Sequence, residues 1–150
     1  MYITSRLGNE NAFVVQYSLS TPFDISTATR SFSDGDGTQL TCSTNMKLPH
    51  AIEFKPDGTK MFVATNKDFS GNPGVAIFQF NLTTAWDSST LVCEKIYEVT
   101  ETGVYVENQL RTLAFKPDGT RMFVGGKTTD KIRPVSYTHL RCRRTRLCRS

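Results

Sequence analysis

The sequence is short of almost everything that would announce catalysis or a membrane. Of its 150 residues two are histidine and one is tryptophan. No apolar run approaches the roughly eighteen residues of a membrane-spanning helix, and the first residues lack a basic stretch followed by an apolar core. No segment of ten or more residues repeats its apolar positions at the helical period, which disfavours helical repeats and folds built on crossover helices. A nucleophile elbow, a His-Glu-x-x-His zinc helix and a phosphate-cradling glycine loop are all absent from the sequence. It therefore offers no catalytic residues, no cofactor site and no metal centre.

A basic excess is present only in the bulk numbers. The chain has a formal net charge of +4, but five of its eighteen Lys and Arg residues, Arg141, Arg143, Arg144, Arg146 and Arg149, crowd its end, where there is no acid. Val135-Ser136-Tyr137-Thr138-His139-Leu140 is also the peptide that a transposase-type sequencing adaptor encodes. With one base lost, the adaptor's continuation encodes Leu140-Arg141-Cys142-Arg143-Arg144. Residues 135–150 are therefore expected to be a foreign tail without structure. In the remainder thirteen bases face fourteen acids, and the basic footprint of nucleic-acid or anionic-membrane binding disappears. Neither a nucleic acid nor a membrane span is expected. Cys142 and Cys148 go with the tail; Cys42 and Cys93, with no close spacing, read as unpaired and partly buried thiols.

What is there is a repeat. Residues 52–63, Ile-Glu-Phe-Lys-Pro-Asp-Gly-Thr-Lys-Met-Phe-Val, return at an offset of 61 as residues 113–124, Leu-Ala-Phe-Lys-Pro-Asp-Gly-Thr-Arg-Met-Phe-Val. Residues 14–27 return at an offset of 63 as residues 77–90, and Met1-Tyr2-Ile3-Thr4 aligns with Met61-Phe62-Val63-Ala64, so a third copy is cut at its start. Self-similarity at such a period marks propellers, solenoids or arrays.

Strand chemistry selects among these. Each copy runs from an apolar-polar-apolar stretch through Pro-Asp-Gly-Thr into a β-rich run, which is the grammar of a hairpin. Proline presets the first corner, Asp57 or Asp118 bonds back to the backbone, and Gly58 or Gly119 takes the left-handed position behind Pro56 or Pro117. A third strand is expected from Val75 to Leu82 and a fourth from about Glu94 to Thr100. Adjacent apolar residues in Met61-Phe62-Val63 and Ala76-Ile77-Phe78 predict strands covered on both faces. The expected fold is all-β: a truncated β-propeller of about two four-stranded antiparallel blades. Residues 1–49 form a partial blade (strands 2–4), 50–109 a complete one, and 110–134 a partial one (strands 1–2 and the start of 3). A β-sandwich with duplicated motifs explains the strands but not the period. Two blades leave apolar end faces and unpaired edges, so the chain is expected to self-associate.

Phe-Lys-Pro-Asp-Gly-Thr-Lys/Arg-Met-Phe-Val, with Gln-Tyr/Phe-Ser/Asn-Leu-Ser/Thr-Thr-Pro/Ala-Phe/Trp-Asp downstream, resembles the propeller repeats of the YVTN and lactonase-like superfamily over nearly all of residues 1–133. The variant carrying Leu19-Ser20-Thr21-Pro22-Phe23-Asp24-Ile25-Ser26-Thr27 is similar to repeats of predicted phage and marine bacterial proteins. The resemblance implies a propeller scaffold and leaves the activity open, because one scaffold hosts many functions. Two readings follow: a non-enzymatic recognition or structural module on a virion or other extracellular surface, with a protein or carbohydrate ligand, and a fragment of a metal-dependent lactonase-like enzyme.

Candidate sites are few. His50 precedes an inferred innermost strand and Arg111 is its repeat equivalent, so His50, Glu53 and Arg111 are the expected approaches to a central channel. Asp34-Gly35-Asp36-Gly37 opens like a calcium loop but lacks the next ligand and the closing glutamate, so Asp34 and Asp36 read as a solvated turn. Trp86-Asp87 and Phe23-Asp24 are read as aromatic plugs with turn-borne carboxylates.

Overall fold

The computed structural model describes residues 1–7, 11–31, 37–42, 47–67, 75–99, 109–127 and 132–136. These are strands joined by turns, with two single-turn 3-10 segments at Ile25–Thr27 and Ser88–Thr90 and no α-helix among them. Asp34 and Asp36 lie outside the described residues.

Three antiparallel sheets follow one another along the chain. The first joins β1 (Tyr2–Leu7), β2 (Asn11–Leu19), β3 (Ala28–Arg30) and β4 (Thr38–Gln39), with β3 and β4 both on β2. The second runs in the order β5 (Lys47–Phe54), β6 (Lys60–Lys67), β7 (Ala76–Leu82), β8 (Leu91–Glu98). The third holds β9 (Leu110–Phe115), β10 (Arg121–Gly126) and β11 (Ile132–Ser136) in sequential order.

The sequence repeat is a repeat of register. Tyr2 faces Gln16 across β1–β2, as Phe62 faces Gln79 across β6–β7. Phe54 faces Met61 across β5–β6, as Phe115 faces Met122 across β9–β10. The fourth strand is where the copies part. In the second sheet β8 runs on through a bulge opposite Gln79 and Phe80, whereas in the first Ser18↔Thr29 and Val14↔Thr38 belong to separate short strands. The chain takes nine steps from Thr29 to Thr38 where β8 takes five from Val92 to Tyr97. Val135 and Ser136, on the sequence reading the start of an unstructured tail, instead pair with Met122 and Arg121. A backbone ladder makes few demands on side chains, and a β-branched Val suits it.

The two middle strands of the second sheet, β6 and β7, are buried on both faces. On one side Met61, Val63, Phe78 and Phe80 pack with Ala12, Val14 and Leu40 of the first sheet; on the other Phe62, Ala64 and Ile77 pack with Leu110, Leu113, Met122 and Val124 of the third. Successive residues of one strand point to opposite faces, so the unbroken Met61-Phe62-Val63-Ala64 run serves two cores at once. Phe62 and Phe115 meet with ring centroids 4.5 Å apart.

Each Pro-Asp-Gly-Thr segment forms a closed turn. The Gly58 amide donates to the Lys55 carbonyl at 2.8 Å, and the Lys55 amide to Lys60 at 3.0 Å. Asp57 accepts from the Thr59 amide at 3.0 Å and its hydroxyl at 2.6 Å, and Asp118 does the same for Thr120 at 2.9 and 2.6 Å. Lys55 and Lys116 bind the outer carboxylate oxygens, and these contacts hold both carboxyls well below the usual carboxylate range, the lysine bond first and the threonine bonds next. Both glycines have positive φ, +73° at Gly58 and +70° at Gly119. Gly58 is also under a lid. A Cβ there would lie 2.4 Å from the Trp86 indole, whereas one at Gly119 would meet nothing within 4 Å. The Trp86 amide donates to the Gly58 carbonyl at 3.0 Å. Its ring lies 5.4 Å from Phe54, which in turn lies 4.4 Å from Tyr2 of the first sheet, and the Tyr2 hydroxyl donates to the Trp86 carbonyl.

The expectation of free thiols is overturned. Cys42, just beyond β4, is bonded to Cys93 in β8, with Cα atoms 5.2 Å apart. Fifty-one residues separate them in sequence, but the first two sheets stack so that the segment after β4 meets β8. The bridge is not part of the repeat: at the offset of 63, Cys93 corresponds to Arg30.

Two consequences can be measured. Closing a loop of this length removes unfolded-state entropy equivalent to about 4 kcal/mol, so Cys42→Ser and Cys93→Ser should each lower unfolding free energy by that order in denaturant titrations, and reductant should add nothing to either variant. Gly58→Ala should cost about 3 kcal/mol, combining left-handed strain with displacement of Trp86, while Gly119→Ala should cost only the strain, about 1 kcal/mol. Equal losses at the two glycines would show that the indole does not sit on the turn.

Candidate functional site

Two of the residues singled out by sequence, His50 and Arg111, occupy the same irregularity. In β5–β6, Pro49 pairs with Thr65 and Ala51 with Ala64, so His50 drops out of the ladder. In β9–β10, Leu110 pairs with Gly126 and Thr112 with Gly125, and Arg111 drops out. A bulge releases its extra residue from the pleat and re-aims the side chain. Leu48, two residues before His50, has a left-handed φ of +50°; a non-glycine residue held there stores on the order of 1–3 kcal/mol, as functional segments often do.

The two bulges bring their side chains together across neighbouring sheets. Arg111 Nη1 lies 2.9 Å from His50 Nδ1, and Arg111 Nη2 donates to Gln109 Oε1 at 2.9 Å. A guanidinium has donors only. His50 Nδ1 therefore accepts, and the proton of the neutral ring sits on Nε2. Arg111 is exposed and His50 half-buried, which leaves the cation open to solvent above a partly covered imidazole.

Glu53 does not join them. Among the described residues no hydrogen bond or ion pair links it to His50 or Arg111. It lies back in the regular ladder, opposite Phe62 and past the bulge. There burial raises its carboxyl above the ordinary value. Asn66, which the sequence reading missed, belongs to the same end of the second sheet, since Lys47↔Lys67 and Pro49↔Thr65 bracket it. Its side chain is buried, and among the described residues its Oδ1 has no hydrogen-bond partner. A buried acceptor of this kind fits a donor from water or a ligand. No sequence signal separates it from any other asparagine, because its repeat counterparts are Arg6 and Lys127.

The remaining candidates are structural. Asp24 and Asp87 each cap a 3-10 turn, accepting from the amides of Ser26 and Ser89 at 2.9 Å and from their hydroxyls at 2.6 Å. Pro56, Asp57, Gly58 and Pro117, Asp118, Gly119 make the hairpin turns described above. Among the described residues no three His, Cys, Asp or Glu side chains gather where they could hold a metal ion, and no helix is long and apolar enough to cross a membrane. Among the described residues the site sets the Arg111 guanidinium beside the hydrogen-bonding groups of His50 and Gln109.

Neither a known protein family, nor a curated protein, nor a solved structure matches the chain.

The tautomer is directly testable. Long-range ¹⁵N correlation spectra at neutral pH should show His50 protonated at Nε2 alone, and Arg111→Ala should release that preference; a ring protonated at Nδ1 in the unaltered chain would contradict the contact.

Proposed function

We propose that the chain is a stretch of a β-propeller that acts as a non-catalytic recognition or structural module, of the kind carried on a virion or cell surface. The observation that carries this reading is the contact between Arg111 and His50, equivalent residues released from successive sheets by equivalent bulges. A repeating sheet with one bulged side chain per copy lines up variable groups at one end of the stack, and such rows suit the binding of an extended partner. Support for the propeller comes from the shared register and from a middle sheet whose two central strands are buried on both faces, as in a blade between two others.

The partner is a protein or a carbohydrate. An exposed guanidinium flanked by imidazole and amide favours a carboxylate, which it can meet with paired charge-assisted hydrogen bonds. The bridge between Cys42 and Cys93 is consistent with an oxidising compartment, as a surface location demands. Ile3, Ile25, Val92 and Ile132 are exposed, and self-association or further blades would cover them.

The test is a pair of assays on the same preparation. Binding to immobilised acidic and neutral oligosaccharides should favour the acidic set and fall about tenfold in Arg111→Ala, the cost of one charged hydrogen bond. Lactone hydrolysis with added calcium should stay at the background rate. Turnover that depends on the metal would overturn the non-catalytic reading and favour the lactonase-like one.

A further inference from the structure

The tryptophan that closes the Pro56-Asp57-Gly58 turn is held firmly and yet stays half in water. Its φ of +65° is a costly conformation for a bulky residue. Three contacts hold it there: its amide donates to the Gly58 carbonyl, its carbonyl accepts from the Tyr2 hydroxyl, and its ring leans on Phe54 at 5.4 Å and 30°. A Cβ built on Gly58 would meet Nε1, Cδ1 and Cδ2 of the indole at nearly equal distances, so the glycine lies over the face of the pyrrole ring and not at its edge. Trp86 nevertheless remains 44% exposed. A ring covered on one face owes such an exposure to the other.

Polar groups border that open face. Asp87 uses Oδ1 for the Ser89 amide and hydroxyl, and among the described residues neither its second oxygen nor the indole N–H has a hydrogen-bond partner. Burial and, after it, the Asp87 charge raise the Tyr2 phenol above its ordinary value, so carboxylate and phenol are neighbours. Thr83, Thr84, Ala85 and Ser89 are small and exposed. The indole is thus a solitary apolar face with a polar rim. An aromatic anchor for a protein partner is surrounded by contacts that exclude water. A sugar asks for the reverse: one flat face for its C–H groups and polar atoms around it for its hydroxyls.

We propose that the open face of Trp86 and the Asp87 carboxylate form a binding site for a neutral saccharide built of pyranose rings with equatorial hydroxyls. Such rings turn axial C–H groups to both faces, and the electron-rich face of an indole attracts those hydrogens. The second oxygen of Asp87 accepts from hydroxyls at the sugar's rim in charge-assisted bonds, and the indole N–H donates to a hydroxyl oxygen. A ring fixed before the ligand arrives loses little freedom on binding. The site lies where the first two sheets meet, at the opposite end of β5 from His50, and the inference does not rest on what the Arg111 end binds.

The experiment uses the full chain with its own tryptophan, the only one in the sequence, as reporter. Titration with cellopentaose should give a saturable change in tryptophan emission, and an α-linked mannopentaose, whose axial hydroxyls break the flat face, should bind markedly more weakly. Asp87→Asn keeps an acceptor for Ser89 and should weaken cellopentaose binding about tenfold, the loss of one charged hydrogen bond. Trp86→Ala, followed by calorimetry because the reporter is gone, should bind nothing at the same concentrations. Trp86→Phe keeps a smaller ring over the turn and should retain part of the affinity, which separates loss of the platform from loss of the fold. No saturable change with cellopentaose overturns the proposal. Equal binding of the mannopentaose or of decaproline, the mark of an unselective apolar surface, overturns it as well, and so does binding indifferent to Asp87→Asn.

Discussion

A sheet whose central strands are covered on both faces has no freedom to choose its neighbours one at a time. Met61, Val63, Phe78 and Phe80 need the first sheet, and Phe62, Ala64 and Ile77 need the third. Each apolar side chain removed from water contributes roughly 1.5–3 kcal/mol, so uncovering either face forfeits several such contributions together. Turn closure, bulge and ring stacking operate inside that constraint. The Pro-Asp-Gly turn holds Phe54 and Phe115 at the ends of their strands, where each reaches across to an aromatic of a neighbouring sheet, Tyr2 or Phe62. Gln16 of β2 likewise accepts from the Ser88 amide at 2.9 Å and its hydroxyl at 3.0 Å, a polar tie between the first two sheets. Ser88 is fully buried, and that shared acceptor meets its requirement for a partner.

Much of this was legible in the residues. Pro56-Asp57-Gly58 and Pro117-Asp118-Gly119 carry their turn in their own chemistry, and the unbroken Met61-Phe62-Val63 run signals two buried faces because no half-exposed strand would tolerate it. The third strand was expected from Val75 and begins at Ala76. The bridge between Cys42 and Cys93 was not legible, for it belongs to the stacking of two sheets and appears once, outside the repeat. Nor was the break between β3 and β4, because an insertion reads the same in sequence whether it extends a loop or splits a strand.

The candidate site was partly legible for a related reason. His50 and Arg111 could be matched by offset, and the offset placed them together. Their departure from the ladder could not be read, since a bulge depends on pairing. Glu53 was grouped with them as part of the same expected channel strand, and three residues of strand carry it past the bulge into the regular ladder. Asn66 drew no notice because an unpartnered acceptor is a property of surroundings, not of residue type.

The bridge has a mechanical meaning as well. A chain drawn from its ends lengthens as its strands peel away. Between Cys42 and Cys93 the covalent link bypasses the intervening chain, so roughly 170 Å of contour is withheld from extension. Tension entering the first sheet crosses to β8 through sulfur, and β5, β6 and β7 stand outside the path of the load.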